Sequence, residues 1–108
     1  MYIADGKTNG PAFSWPDGKR IAVMVTFDYD AEFLRISRAK SKGTSIGFTD
    51  FSRGQYGPHE GLARCLDMLD TMNIKSTFFV PGAVIETYRD TVEEIHRHGH
   101  ELACHGYR

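Results

Sequence analysis

Two carboxylates stand two positions apart in Thr26-Phe27-Asp28-Tyr29-Asp30-Ala31-Glu32. On an extended backbone, residues i and i+2 point to the same side, so Asp28 and Asp30 address one region. Such a pair suits a shared cation, or a division of roles in which one carboxylate ligates and the other takes a proton. A solvated strand end, where Asp merely opens a turn, has the same pattern. The second group with chemistry is His105, in His105-Gly106-Tyr107-Arg108. Imidazole is a common ligand for zinc and similar divalent ions. A single histidine is more often structural, and His105 gains weight only if it meets Asp28 and Asp30.

The elements that must position these groups follow from hydrophobic patterning. Arg20 to Asp28 runs Ile-Ala-Val-Met-Val-Thr-Phe almost unbroken, short, rich in β-branched residues and apolar on both parities. This pattern predicts a strand buried on both faces, as in a parallel sheet covered by helices. Ala31 to Tyr56 shows little periodicity and holds five basic residues, Arg35, Arg38, Lys40, Lys42 and Arg53. It reads as a long connection, often a functional feature in a compact domain, although a solvated basic loop is the plainer reading of the charges. Gly57-Pro58-His59-Glu60 reads as a helix start with Pro at the first position. Leu62, Cys65, Leu66, Leu69 and Met72 continue at helical spacing, and Asn73 is a stop. Ile74 to Val80 predicts a second strand, closed by Pro81-Gly82. Val84 to His98 predicts a helix broken near Tyr88 and ended by Gly99, and His100 to His105 a third strand. The order is β-α-β-α-β, an α/β class with a parallel sheet. In such sheets the active site forms at the C-terminal ends of the strands. Asp28, Asp30 and His105 all fall there.

The 108 residues are 41% hydrophobic with a formal charge of -1, which suits one globular domain. No basic excess points to nucleic acid or a membrane surface. The longest apolar stretch, Ile21 to Phe27, is far below the roughly 20 residues that span a bilayer. The N-terminus has neither the basic nor the apolar region of a secretory signal. Residues 1–19 read as an extension ending in the turn Trp15-Pro16-Asp17-Gly18, and 20–108 as the domain. Cys65 and Cys104 form no C-x-x-C and read as free thiols in a reducing compartment, the cytoplasm. Three parallel strands leave an edge that invites association, so a homo-oligomer is an expectation.

Three stretches together carry a resemblance: Thr26–Glu32, Ser76-Thr77-Phe78-Phe79-Val80-Pro81-Gly82, and Gly99-His100-Glu101-Leu102-Ala103-Cys104-His105-Gly106-Tyr107-Arg108. The chain resembles the polysaccharide deacetylase family, also called the NodB-homology family or carbohydrate esterase family four, over about residues 15–108. The resemblance implies a distorted (β/α) barrel, of which this chain would be the N-terminal part, since a barrel needs about 250 residues. It implies that Asp28 is the catalytic base and that Asp30 and His105 bind a divalent metal, zinc first among the candidates. The family's histidine motif is His-x-x-x-His; His105 fits its first member, and the second would fall at position 109. Many family members have two adjacent Asp residues in the acidic motif. The spaced form here resembles an intracellular subgroup that includes peptidoglycan deacetylases, allantoinase-like proteins and cyclic-imide hydrolases.

The implied reaction is hydrolysis of a non-peptide carbon–nitrogen bond, with an N-acetylated sugar or a small amide as substrate. Metal-activated water loses a proton to Asp28 and attacks the amide carbonyl. With two protein ligands instead of the usual three, these residues alone are expected to hold metal weakly and turn over little. Tyr56 is a candidate substrate-lining residue, with packing beside the first helix as the alternative. Two rival readings differ in class. A haloacid-dehalogenase-type phosphatase shares Asp-x-Asp after a strand, but Glu32 stands where that family commonly has Thr. A non-catalytic fragment that needs a partner chain is the other. His96, His98 and His100 cross a helix end and a turn, and read as cations near a helix C-terminus.

Overall fold

β2 (Thr77–Val80) lies between β1 (Thr26–Asp28) and β3 (Glu101–Cys104), and both pairings are parallel. The computed structural model describes residues 14–107; most of the expected N-terminal extension, and Arg108, lie outside them. The helices are α1 (Phe33–Ser41), α2 (Phe48–Tyr56), α3 (Leu62–Thr71), α4 (Gly82–Thr87) and α5 (Arg89–Arg97). The α/β class and parallel β-α-β-α-β order hold. One sheet face packs on the helices: Phe78 and Val80 from β2 join Leu62, Leu66 and Leu69 of α3, Val84 of α4, and Val92 and Ile95 of α5. The register sets Asp28 beside Phe79 and Phe79 beside Ala103. Because side chains alternate along a strand, these three share the opposite face, away from the helical core.

The first strand is shorter than its apolar run predicts. Only Thr26–Asp28 is strand, while Ile21, Val23 and Met24 are 74%, 79% and 87% exposed. β2 begins at Thr77, so β1 has a partner only from Val25 onward, whose carbonyl accepts the Thr77 N–H at 3.2 Å. Burial on two faces requires neighbours that residues 21–24 do not meet among the described residues.

The segment 31–56 is not an irregular connection but carries α1 and α2. α1 buries no residue fully and α2 buries only Gly54, so neither leaves the apolar stripe that identifies a helix in sequence. Pro58 does not start a helix. The chain stays helical from Phe48, passes through a π-turn at Gly57–Gly61, and continues to Thr71. Proline lacks the N–H that an α-helix would use here, and the wider π-turn absorbs that loss. Asn73 (φ 52°) and Gly99 (φ 75°) end their helices in the left-handed conformation, and Tyr88 (φ -123°, ψ 45°) breaks α4 from α5, all as expected.

His100 is buried at 4% exposure under the sheet, its ring 5.5 Å from that of Phe78. Its Nδ1 accepts the Ser76 N–H at 3.3 Å, which places the ring proton on Nε2, an atom with no partner among the described residues. Burial first, and then the Lys75 ammonium, hold its pKa below 6.5. A depressed folded-state pKa means that the folded protein binds fewer protons than the unfolded chain. Stability is therefore full above about pH 6.5 and declines as pH falls below it toward the folded value. Thermal midpoints measured from pH 8 to 5 should show this decline, and His100→Gln should flatten it. An unchanged slope in the variant would assign the decline to other groups.

Candidate active site

β1 delivers the acidic motif to the rim and a sharp backbone change turns it there. The Tyr29 N–H donates to the Phe79 carbonyl at 2.9 Å, the last ladder bond on this strand, and Ala31 then takes φ 50°. That left-handed residue swings the chain from strand into α1, where the Phe33 N–H donates to the Asp30 carbonyl at 3.1 Å. On the other side of β2, the His105 N–H donates to the Val80 carbonyl at 3.2 Å and carries β3 to the same rim. The His105 ring lies 6.3 Å from that of Phe79.

Asp30 and His105 meet: His105 Nε2 is 3.6 Å from Asp30 Oδ1, with the carboxylate side chain 19% exposed and the imidazole 41%. This gap is too long for a hydrogen bond. Two ligands about 2.0–2.1 Å from a tetrahedral ion stand about 3.3 Å apart, close to this separation, so Asp30 and His105 are the residues that would hold a divalent cation. Asp28 is exposed and shares with Asp30 a cleft of about 280 Å³. Among the described residues no group of three or more metal-capable side chains gathers. Tyr56 does not line the cleft. It is 53% exposed on α2 and its ring packs over Gly61, while Gly54 and Gly57 form that part of the wall. Cys104 points to the opposite face, beside Val80 and Val92, and both cysteines are free. His98 is a tie between helices, with Nδ1 2.6 Å from Asp70 Oδ2; His96 is exposed.

The residues between the two aspartates and after them are anchored into the protein, which the sequence reading missed. Glu32 is 4% exposed, and the Tyr88 hydroxyl donates to both its carboxyl oxygens at 2.9 Å. The Thr91 hydroxyl donates to the Tyr88 carbonyl at 2.7 Å and so must accept from the Tyr29 hydroxyl, 2.8 Å away. Burial pushes the Tyr29 phenol up to about 12, and raises Tyr88, with the bond to Glu32 adding to the shift. The acidic motif is thus pinned twice to the α4–α5 break. The only trace in sequence is an acidic residue directly before a helix and a tyrosine at a helix break, 56 positions apart. Tyr88→Phe removes the donor and leaves a buried carboxyl without it. The expected loss is about 1.5–3 kcal/mol, read as a lower urea midpoint with unchanged slope; a change under about 0.5 kcal/mol would show the clamp to be incidental.

A parallel α/β rim thus brings Asp30 to His105 and sets Asp28 in the cleft that Asp30 lines. The sequence model described as polysaccharide deacetylase matches residues 16–108, and the chain belongs to that family. A crystal structure from Mycobacterium smegmatis, provisionally assigned as a polysaccharide deacetylase, superposes with a TM-score of 0.74 at 41% identity. It covers 91% of this chain and 34% of its own, so the three strands form one portion of that (β/α) barrel. A peptidoglycan deacetylase of Helicobacter pylori is 36% identical over 89 residues, 82% of this chain and 29% of that protein. The peptidoglycan deacetylase-like protein FGM2 of Gibberella zeae is 31% identical over 91 residues, 82% of this chain and 26% of that protein. The chain therefore spans less than a third of the curated relatives it matches. Among the described residues no helix is long and apolar enough to cross a membrane.

Proposed function

We propose that this protein contributes the acid–base and metal-binding rim of a hydrolase that removes acetyl groups from N-acetylated saccharides, peptidoglycan among them. The observation that carries this is the 3.6 Å approach of His105 Nε2 to Asp30 Oδ1, with Asp28 in the cleft Asp30 lines. Bound between Asp30 and His105, a divalent cation, zinc by the oxygen and nitrogen character of the donors, would polarise the amide carbonyl and acidify the attacking water. Asp28, at the strand end, takes that water's proton. The water oxygen bonds to the amide carbonyl carbon, the carbon–nitrogen bond breaks to release acetate, and the proton held by Asp28 passes to the leaving amine. The Tyr88–Glu32 and Tyr29–Thr91 bonds hold the acidic segment still during these transfers. Two unpaired cysteines fit a reducing, cytoplasmic setting.

Asp30 and His105 are one ligand short of the three common in catalytic zinc sites. Full activity is accordingly expected from a form in which a third ligand joins them. Acetate release from N-acetylated oligosaccharides, with zinc supplied and then chelated, tests the reaction in such a form. Zinc binding by these 108 residues tests the rim itself. If the chain binds zinc equally well after Asp30→Ala and His105→Ala, the metal-binding reading is lost.

A further inference from the structure

The cleft that holds Asp28 and Asp30 is walled by arginine. Arg35 and Arg38 come from α1, three residues apart and so on one helix face, and Arg53 comes from α2. Of the five basic residues between Ala31 and Tyr56, the three arginines line this cleft and the two lysines do not. Arg35 and Arg38 also border a neighbouring groove with Lys42 and Asp50, whereas Arg53 lines the acid-pair cleft and not that groove. Arg35 is engaged by Asp50 at 3.3 Å. Among the described residues Arg38 and Arg53 have no carboxylate within ion-pairing distance. Three arginines and two aspartates line a space of about 280 Å³. Guanidinium offers a planar fork that matches a carboxylate in two parallel hydrogen bonds, which lysine cannot do.

We propose that this cleft selects amide substrates that carry a carboxylate beside the scissile bond, gripped by Arg38 and Arg53. The proposal rests on the amide-hydrolase reading for the position of that bond, and names the substrate class of the same site. The carboxylate can belong to a sugar acid or to a small dicarboxylic half-amide, and two matched pairs of ligands separate these sources. N-acetylmuramic acid and N-acetylglucosamine differ by a carboxylate-bearing ether; succinamate and succinamide differ by carboxylate against amide.

Calorimetric or NMR titration of this chain at low salt should show the anionic member of at least one pair binding about tenfold or more tightly than its neutral counterpart. Preference within the sugar pair assigns a sugar acid, and preference within the small pair a half-amide. The double variant R38A/R53A should lose the preference, while Arg64→Ala, exposed on α3, should keep it. Both variants alter exposed side chains, and thermal melts confirm that they fold. Equal binding within both pairs, a preference that survives R38A/R53A, or no binding of any of the four ligands would overturn the proposal. A charge preference in this chain, with no acetate released from any N-acetylated sugar by the form in which a third ligand joins Asp30 and His105, leaves the arginine site standing and removes the hydrolase reading instead.

Discussion

Replacing Gly54 with alanine is expected to destabilise the protein by at least about 2 kcal/mol, an unusually large effect for one methyl group on a helix. An added Cβ would lie 2.4 Å from Glu32 Cα and 2.9 Å from Glu32 N. Both are backbone atoms, so no rotamer change relieves the contact. Alanine gains about 1 kcal/mol in helix propensity over glycine, and overpacking of this severity sits at or above the usual cost of about 1–3 kcal/mol. The clash wins. It also pushes on the residue that anchors the acidic motif, so zinc binding should weaken together with stability. Gly57, three residues along the same continuous helix, supplies the contrast. A Cβ there meets only the Tyr29 ring at 3.9 Å, an ordinary contact, and Gly57→Ala should be neutral or slightly stabilising. Urea unfolding of the two variants checks both expectations; equal midpoints would mean that α2 does not press on Glu32 in solution.

In the form in which a third ligand joins Asp30 and His105, Asp28→Asn is expected to lower acetate release by about 10²–10⁴-fold, the usual worth of a positioned general base, while leaving zinc affinity nearly intact. Asp30→Ala should do the reverse in binding. Its zinc affinity should fall by more than the about 10–100-fold seen when only a supporting partner of a ligand is removed, and activity should follow. The split arises because Asp30 stands 3.6 Å from His105 whereas Asp28 has neither His105 nor any other cation within ion-pairing distance among the described residues. Zinc titration and acetate release on the two variants read the split directly. If Asp28→Asn loses zinc as severely as Asp30→Ala, Asp28 is a ligand and not the base.

The pattern of what could be read in advance follows the physics of each signal. β2, α3 and the broken α4–α5 pair were legible because their apolar residues are buried in the cluster around Phe78 and Ile95, and burial is what hydrophobic periodicity reports. The stops at Asn73 and Gly99 were legible because few residue types accept a positive φ. α1 and α2 were not, since they cover the cleft with polar faces and bury almost nothing. The length of β1 was not either, because a strand extends only as far as its neighbour does, and where β2 begins is set by the turn at Asn73.

For the site, residue type and order alone determined that two carboxylates and an imidazole come to the C-terminal ends of adjacent parallel strands, since alternation of strand and helix leaves no other rim for them. Tertiary structure decided the rest. The approach of Asp30 to His105, the burial of Glu32 under Tyr88 and the gathering of three arginines around the cleft each join residues 15 to 75 positions apart. Contacts at such range depend on how helices dock, and no local pattern in the chain encodes that docking.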